Sequence, residues 1–292
     1  MILKKLLLTG VAILSLASAS IAQDVEGGIF LGTSNYQGDL THSHAQIKRT
    51  KPSLGLLGRY YFGPRFNLKG SFTYGWISGT DADDASDQRY RAKRNLSFRS
   101  NLMEFSIQGE LNILPFISNS KRYRFAPYVF AGIALFHFNP VADIVNTSTG
   151  AKWDGLDLQT LGTEGQNLAG SSKSAYSRWQ GSIPYGLGIK YSLGNFWNIG
   201  LELGQRKLFT DYLDDASTVY PDMDAMKTYS RATFGDERAL VASNPRDFTK
   251  YPTKTINDVK GIQRANSKKN DMYIFVGLTI TKTLRRFSCT NF

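Results

Sequence analysis

The chain has 292 residues, a formal charge of +11 from 35 Lys and Arg against 24 Asp and Glu, and a mean hydropathy of −0.28. A single cysteine, Cys289, excludes a disulfide scaffold. Beyond the first 22 residues no apolar run reaches the ~20 residues of a spanning helix, an exclusion that does not touch β-strands, whose alternating faces average to neutral.

Met1–Gln23 has the layout of a cleavable secretory leader: the basic pair Lys4-Lys5, an apolar stretch from Leu6 to Leu16, then small residues ending in Ser20-Ile21-Ala22. Residues 1–22 are expected to be removed, with a cut after Ala19 as the alternative, leaving 23–292 as one domain. The apolar stretch is too short for an uncleaved anchor that spans. No cysteine follows it, so a lipoprotein anchor is not expected.

Eight segments then alternate with period two, the pattern of strands with two different faces. They are Asp24–Ser34, Ser53–Phe62, Phe66–Gly79, Asn101–Leu114, Tyr123–Phe138, Ser182–Gly194, Phe196–Phe209 and Asp271–Leu284. In Ser182–Gly194, Ile183, Tyr185, Leu187, Ile189, Tyr191 and Leu193 oppose Ser182, Pro184, Gly186, Gly188, Lys190 and Ser192. No helix keeps those apolar residues on one side. Tyr123–Phe138 is apolar on both faces and alternates least.

The connections carry the deciding pattern. Gly63-Pro64-Arg65, Pro115–Arg122 and Gly194-Asn195 are short; Asn35–Pro52, Thr80–Ser100, Asn139–Gly181 and Thr210–Asn270 are long. Short and long alternate, as in outer-membrane barrels with periplasmic turns and external loops. The predicted fold is all-β: an eight-stranded antiparallel transmembrane outer-membrane β-barrel with long extracellular loops. Both termini, with the tail 285–292, are expected in the periplasm. A soluble barrel would put apolar residues inside and has no reason to gather its long loops at one end.

Assigning each polar face to the lumen places Glu26, Arg59, Lys69, Glu104, Glu110, Lys190, Glu202 and Arg206 inside. Four acids then face four bases. An eight-stranded barrel has room only for side chains, so the expected interior is an ion-paired plug and not a pore. Tyr60, Tyr61, Phe62, Phe66, Tyr74, Trp76, Tyr123, Phe136, Phe138, Phe196, Trp197 and Phe209 lie near strand ends and suit two interfacial girdles.

Catalytic chemistry is thinly supported. His42 and His44 lie in the first long loop with no orienting carboxylate, and His137 stands at the end of the fifth segment. Asp81–Asp87 begins like a calcium loop, but Ser86 replaces the turn glycine and Ala92 the bidentate glutamate. Asp211, Asp214 and Asp215 form a second acidic cluster. No phosphate-binding loop, metal-ligand spacing or dinucleotide fingerprint is present, so neither cofactor nor metal is expected. An exported barrel meets little nucleic acid; lipopolysaccharide and other outer-membrane lipids are the expected partners of the basic charge. Cys289, in an oxidising compartment, suggests a free thiol or an intermolecular disulfide.

Several strings in order along the chain resemble the PorG-type outer-membrane barrel of Bacteroidota: Gly32–Leu40 (GTSNYQGDL), Arg94–Ser100 (RNLSFRS), Pro127–Pro140 (PYVFAGIALFHFNP), Leu161–Gln166 (LGTEGQ), Leu208–Asp215 (LFTDYLDD) and Tyr273–Gly277 (YIFVG). A tail with Cys289 before the terminal Phe292 also fits. The resemblance implies a non-enzymatic part of the type IX protein secretion machinery, tied to gliding in many members. It would contact a periplasmic ring made of a lipoprotein and its partner. Arg285, Arg286 and Cys289 in the tail are the residues expected to touch that ring. Two alternatives remain open: an enzyme modifying lipid A, with His137 as first suspect, and a receptor or adhesin presenting 139–181 and 210–270.

Overall fold

The computed structural model describes residues 25–41, 47–83, 93–247, 250–251 and 255–284. Its nine strands are β1 (Val25–Gln37), β2 (Lys51–Tyr61), β3 (Phe66–Thr80), β4 (Ser97–Asn112), β5 (Phe125–Val145), β6 (Lys152–Asp157), β7 (Trp179–Gly194), β8 (Trp197–Leu208) and β9 (Met272–Leu284). Eight form a closed antiparallel ring in the order β1-β2-β3-β4-β5-β7-β8-β9; β9 returns to β1 from Val25↔Leu284 to Gln37↔Met272. Closure leaves the ring without an edge, the condition for strands in lipid, where an unpaired backbone group costs several kcal/mol.

The ring is built inside out. Leu54, Leu56, Phe105, Ile107, Leu135 and Leu187 point outward and are exposed, with Ile133 reaching 70%. A belt of that extent on a soluble protein would be a binding or aggregation surface; around a closed barrel it is the lipid contact. Among the described residues no helix is long and apolar enough to cross a membrane.

Tyr60, Phe62, Phe66 and Trp197 stand outward beside the short turns, and Tyr74, Trp76, Trp179 and Phe209 toward the long loops. Three expected girdle residues belong elsewhere: Tyr61, Phe136 and Phe138 point inward and are buried. Their positions have inward parity, and the interior needs large side chains to fill it. The weak alternation of the fifth segment has the same cause. Tyr128, Phe130, Phe136 and Phe138 occupy the lumen while Val129, Ile133 and Leu135 face lipid. Glycines on the neighbouring strands β7 and β8 make the room: a Cβ on Gly188 would lie 2.5 Å from the Tyr128 ring, and one on Gly204 2.8 Å from Phe130.

Two boundaries differ from expectation. Strand β5 continues past Phe138 to Val145 and pairs with β6, so the predicted loop 139–181 opens as a hairpin beyond the ring. The alternation persists there, with Ala142 and Ile144 turned inward and buried. Strand β4 likewise begins at Ser97, because Phe98 and Leu102 are inward core residues.

The described parts of the loops 139–181 and 210–270 fold back onto the barrel. Helices α1 (Leu158–Leu161), α2 (Met223–Phe234) and α3 (Arg238–Ser243) fold over the long-loop mouth. In α2 the Asp222 carboxylate caps Asp224 and Ala225 N–H, Gly235 ends the helix at φ 76°, and Met223, Met226 and Ser230 share the buried face. One apolar core joins Met223, Met226, Leu240 and Leu158 in the loops to Tyr36, Phe98, Phe138 and Phe275 in the strands. At the opposite mouth, Phe116 of the 115–122 connection stacks on Tyr61 at 6.3 Å, and Ser118 donates to Asn198.

Candidate functional site: the lumen and the seam beneath the cap

All eight predicted lumen residues are inward and buried. Six make one network. Glu110 is its hub, 3.1 Å from Arg59 Nε, 2.5 Å from Lys190 Nζ and 3.5 Å from Lys69 Nζ, and it also accepts from Asn67. Lys69 reaches Glu202 at 2.7 Å, and Arg59 reaches Glu26 at 3.3 Å. Glu26 further accepts from Tyr61 and Thr281, and Glu202 from Tyr128 at 2.9 Å. Toward the long-loop end Arg206 makes a bidentate pair with Glu104, both bonds 3.0 Å, and Tyr273 donates to the same carboxylate at 2.7 Å. The aromatic rings take part: Lys190 lies 4.3 Å above Tyr128, Lys69 4.6 Å above Phe130, and Arg206 4.6 Å above Phe275.

Each charge in this space has an opposite charge beside it, although Arg59 Nη2 makes no hydrogen bond and lies 3.9 Å from Glu202. A buried ion is tolerable when it is paired and its remaining hydrogen-bonding groups are met; an unmatched one is not. The network spans the cross-section of the barrel, linking β1, β2, β3, β4, β7 and β8, and with the rings it fills the lumen.

A second buried polar layer lies between barrel and cap. Tyr36, Asp39, Arg94, Thr163, Glu164, Asp214 and Asp215 of this layer come from the strings that carry the family resemblance, whereas Asp81, Tyr176, Arg264 and Asp271 lie outside them. Arg94 pairs with Asp81 at 2.5 Å and donates to the carbonyls of Asp39 and Arg264. Glu164 accepts from the N–H groups of Ser217 and Thr218 and from Arg264 at 3.2 Å. Asp215 accepts from Thr163 at 2.5 Å and Tyr176 at 2.8 Å, with Arg264 3.8 Å away. Tyr36 contacts Asp214 at 2.5 Å and Asp271 at 3.1 Å, and Asp271 accepts from Leu213 N–H. The Glu164–Arg264–Asp215 group was not foreseen. The strings LGTEGQ and LFTDYLDD and the acidic cluster at 211–215 pointed to Glu164 and Asp215, but nothing in the sequence singled out Arg264 or showed that they meet.

Acid predominates in this seam. Burial alone would raise Glu164, but Arg264, the Thr218 hydroxyl and the Ser217 and Thr218 N–H groups hold it below the usual range. Asp215, although near Arg264, is pushed by burial up to about 7. Burial raises Asp214 to about 7 despite the Tyr36 hydroxyl, and Asp271 is raised by burial with repulsion from Asp214 and Asp211. The Tyr36 hydroxyl has one hydrogen for two carboxyls, so the arrangement is complete when one of them keeps its proton. Asp211, which makes no well-formed hydrogen bond, is pushed by burial and neighbouring acids up to about 8.

The sequence-level suspects for catalysis fare as follows. His137 points outward toward the long-loop rim, its ring 5.1 Å from Trp179, and its Nδ1 makes no hydrogen bond. Among the described residues no orienting acid or nucleophile is hydrogen-bonded to it. Asp81 of the calcium-like stretch is taken by Arg94 and Leu96 N–H. Among the described residues no three His, Cys, Asp or Glu side chains are placed to hold a metal ion. His42, His44, the leader 1–22 and the tail residues Arg285, Arg286 and Cys289 lie outside the described residues.

A closed ring, a lipid-facing apolar belt and a charge-filled interior define a membrane-spanning β-barrel of the outer-membrane type. Residues 4–159 match the family described as a domain of unknown function, DUF6089, more than half of the chain, and the chain belongs to that family. None of the curated proteins matches it. Among solved structures, neisserial surface protein A from Neisseria is similar at 8% identity over 90% of this chain and 98% of its own, with a TM-score of 0.39. The attachment invasion locus protein Ail of Yersinia pestis gives 10% identity over 89% and 96%, TM-score 0.35. Outer membrane protein OprG from Pseudomonas aeruginosa gives 9% over 90% and 96%, TM-score 0.34. The barrel stands on its own strand register.

Proposed function

We propose that this barrel is a non-enzymatic outer-membrane component of the type IX protein secretion machinery, with its short-turn end and both termini in the periplasm. The supporting observation is a lumen blocked by the Glu110-centred network and covered at the long-loop mouth by the cap. Such a barrel has no passage for a protein chain, so its service to secretion is as an anchor. The PorG-type strings supply the machinery, and the tail 285–292 supplies the contact: Arg285 and Arg286 for an acidic patch on a periplasmic ring lipoprotein or its partner, Cys289 for a covalent link.

A pull-down of the tagged protein from gently solubilised outer membranes tests this, read by mass spectrometry. Ring lipoproteins should co-purify, and Arg285→Glu/Arg286→Glu should deplete them. A barrel recovered alone would remove the secretion reading. Non-reducing electrophoresis checks the disulfide, whose shifted band must vanish in Cys289→Ser.

The folded cap favours one further reading, a receptor or adhesin, because its apolar core gives the described parts of 139–181 and 210–270 a fixed surface. Replacing 218–262 by a short linker discriminates. An anchor keeps secretion intact, whereas a receptor loses its ligand.

A further inference from the structure

Outside the lumen, a groove of about 670 Å³ lies on the outer wall of β2–β5 at the long-loop end. The strand register fixes its height. The outward row Phe72↔Phe105↔Leu135 is apolar, and the next, Tyr74↔Met103↔His137, carries the first polar tips. Above these come Trp76↔Asn101↔Asn139 and then Ser78↔Arg99↔Val141. Within a few rows the wall passes from lipid contact through an aromatic girdle to hydroxyl, amide and guanidinium groups, the sequence of a membrane–water interface.

Among the described residues the chemistry of the groove is one-sided, with Arg49, Lys51 and Arg99 lining it against one acid, Asp143. Gly155 N–H holds Asp143 at 2.7 Å, and Asp143 in turn takes one nitrogen of Arg99. That pair fixes the guanidinium without consuming it, since Arg99 remains 54% exposed and has five N–H donors. Trp76 and Tyr74, ring centroids 4.9 Å apart and perpendicular, form the lower lip. Ser97, Asn101 and Asn139 supply groups suited to sugar hydroxyls.

We propose that this groove binds the phosphorylated sugar headgroup of an outer-leaflet glycolipid, lipid A of lipopolysaccharide, with Arg99, Lys51 and Arg49 on its phosphate and its acyl chains along the apolar wall below. The Arg99 guanidinium, held by Asp143, has the planar geometry that suits a phosphate, and the girdle sets the headgroup at its level. The inference rests on the long-loop end facing outward. Binding in detergent is measured without that orientation, and labelling of loop cysteines on intact cells tests orientation by itself.

The test is native mass spectrometry of the purified full chain in detergent, titrated with bisphosphorylated lipid A and with the same lipid A stripped of phosphate. The wild-type protein should retain the phosphorylated form about tenfold better. Arg49→Gln/Lys51→Gln/Arg99→Gln should abolish that preference, and Arg122→Gln/Arg124→Gln at the other end should keep it. Equal retention of the two lipids by the wild-type protein would overturn the proposal whatever the variants do. So would a triple variant that folds, judged by heat-modifiable mobility, and still prefers phosphate.

Discussion

The barrel interior and the seam beneath the cap both bury charge, and they do so by opposite rules. In the lumen every acid has a base: Glu110 alone meets Arg59, Lys69 and Lys190. In the seam the acids outnumber their partners, and Asp211, Asp214, Asp215 and Asp271 are all raised. The lumen lies inside lipid, where no water reaches an unmatched ion, so pairing must be complete. The seam lies beyond the girdle, where a carboxyl can keep its proton instead. One region is a matched ion network; the other holds carboxyls that burial pushes upward, so its charge is expected to change with pH.

The strongest way to break this contrast is to unmatch the lumen. Glu110→Gln leaves Arg59 and Lys190 without their shared acid and should cost about 3–5 kcal/mol. Urea unfolding from lipid vesicles measures it, and a loss below ~1 kcal/mol would mean the network is not held as a unit. Lys190→Met in the same background should recover part of the loss.

Arg264→Met is the corresponding change in the seam. It strips Glu164 and Asp215 of their cation and should cost about 3 kcal/mol, confined to the cap. Limited proteolysis should then cut within 210–270 while the heat-modifiable barrel persists. Collapse of both together would show that cap and barrel unfold as one.

The pH response follows from the raised acids. A carboxyl whose folded pKa lies above its unfolded value of ~3.9 favours the folded state fully below that value. The contribution fades as pH rises through the folded pKa. With Asp214 and Asp215 at about 7 and Asp211 at about 8, the cap should loosen between pH 4 and 8. Amide exchange across 210–217 should quicken over that range beyond its intrinsic rise, and Asp211→Asn should flatten the change. Lumen amides should show no such excess.

The smallest effect belongs to the exposed Arg99–Asp143 pair. Arg99→Gln should change stability by less than ~1 kcal/mol, because exposed pairs gain little over water. A larger loss would give the groove a structural role.

The ring was legible in the sequence because period two at fixed spacing is a local signal: Glu104, Glu110, Lys190 and Glu202 each sit opposite apolar neighbours on their own strands. Which acid meets which base was not legible. Strand stagger decides it, bringing Lys190 of β7 to Glu110 of β4 and Lys69 of β3 to Glu202 of β8. The weakly alternating fifth segment concealed the aromatic filling of the lumen, since Tyr128 and Phe130 fit only against glycines on other strands.

What the sequence determined by itself was the two-faced strand and the alternation of short and long connections, enough for a membrane barrel with a charged interior. Only the tertiary structure decided the cap. Its core joins Met223 and Leu240 to Phe98 and Phe138, and its seam joins Tyr36 to Asp214 and Glu164 to Arg264. No local period announces such contacts, because each partner becomes apolar-facing or charge-matched only when distant loops close over the same mouth.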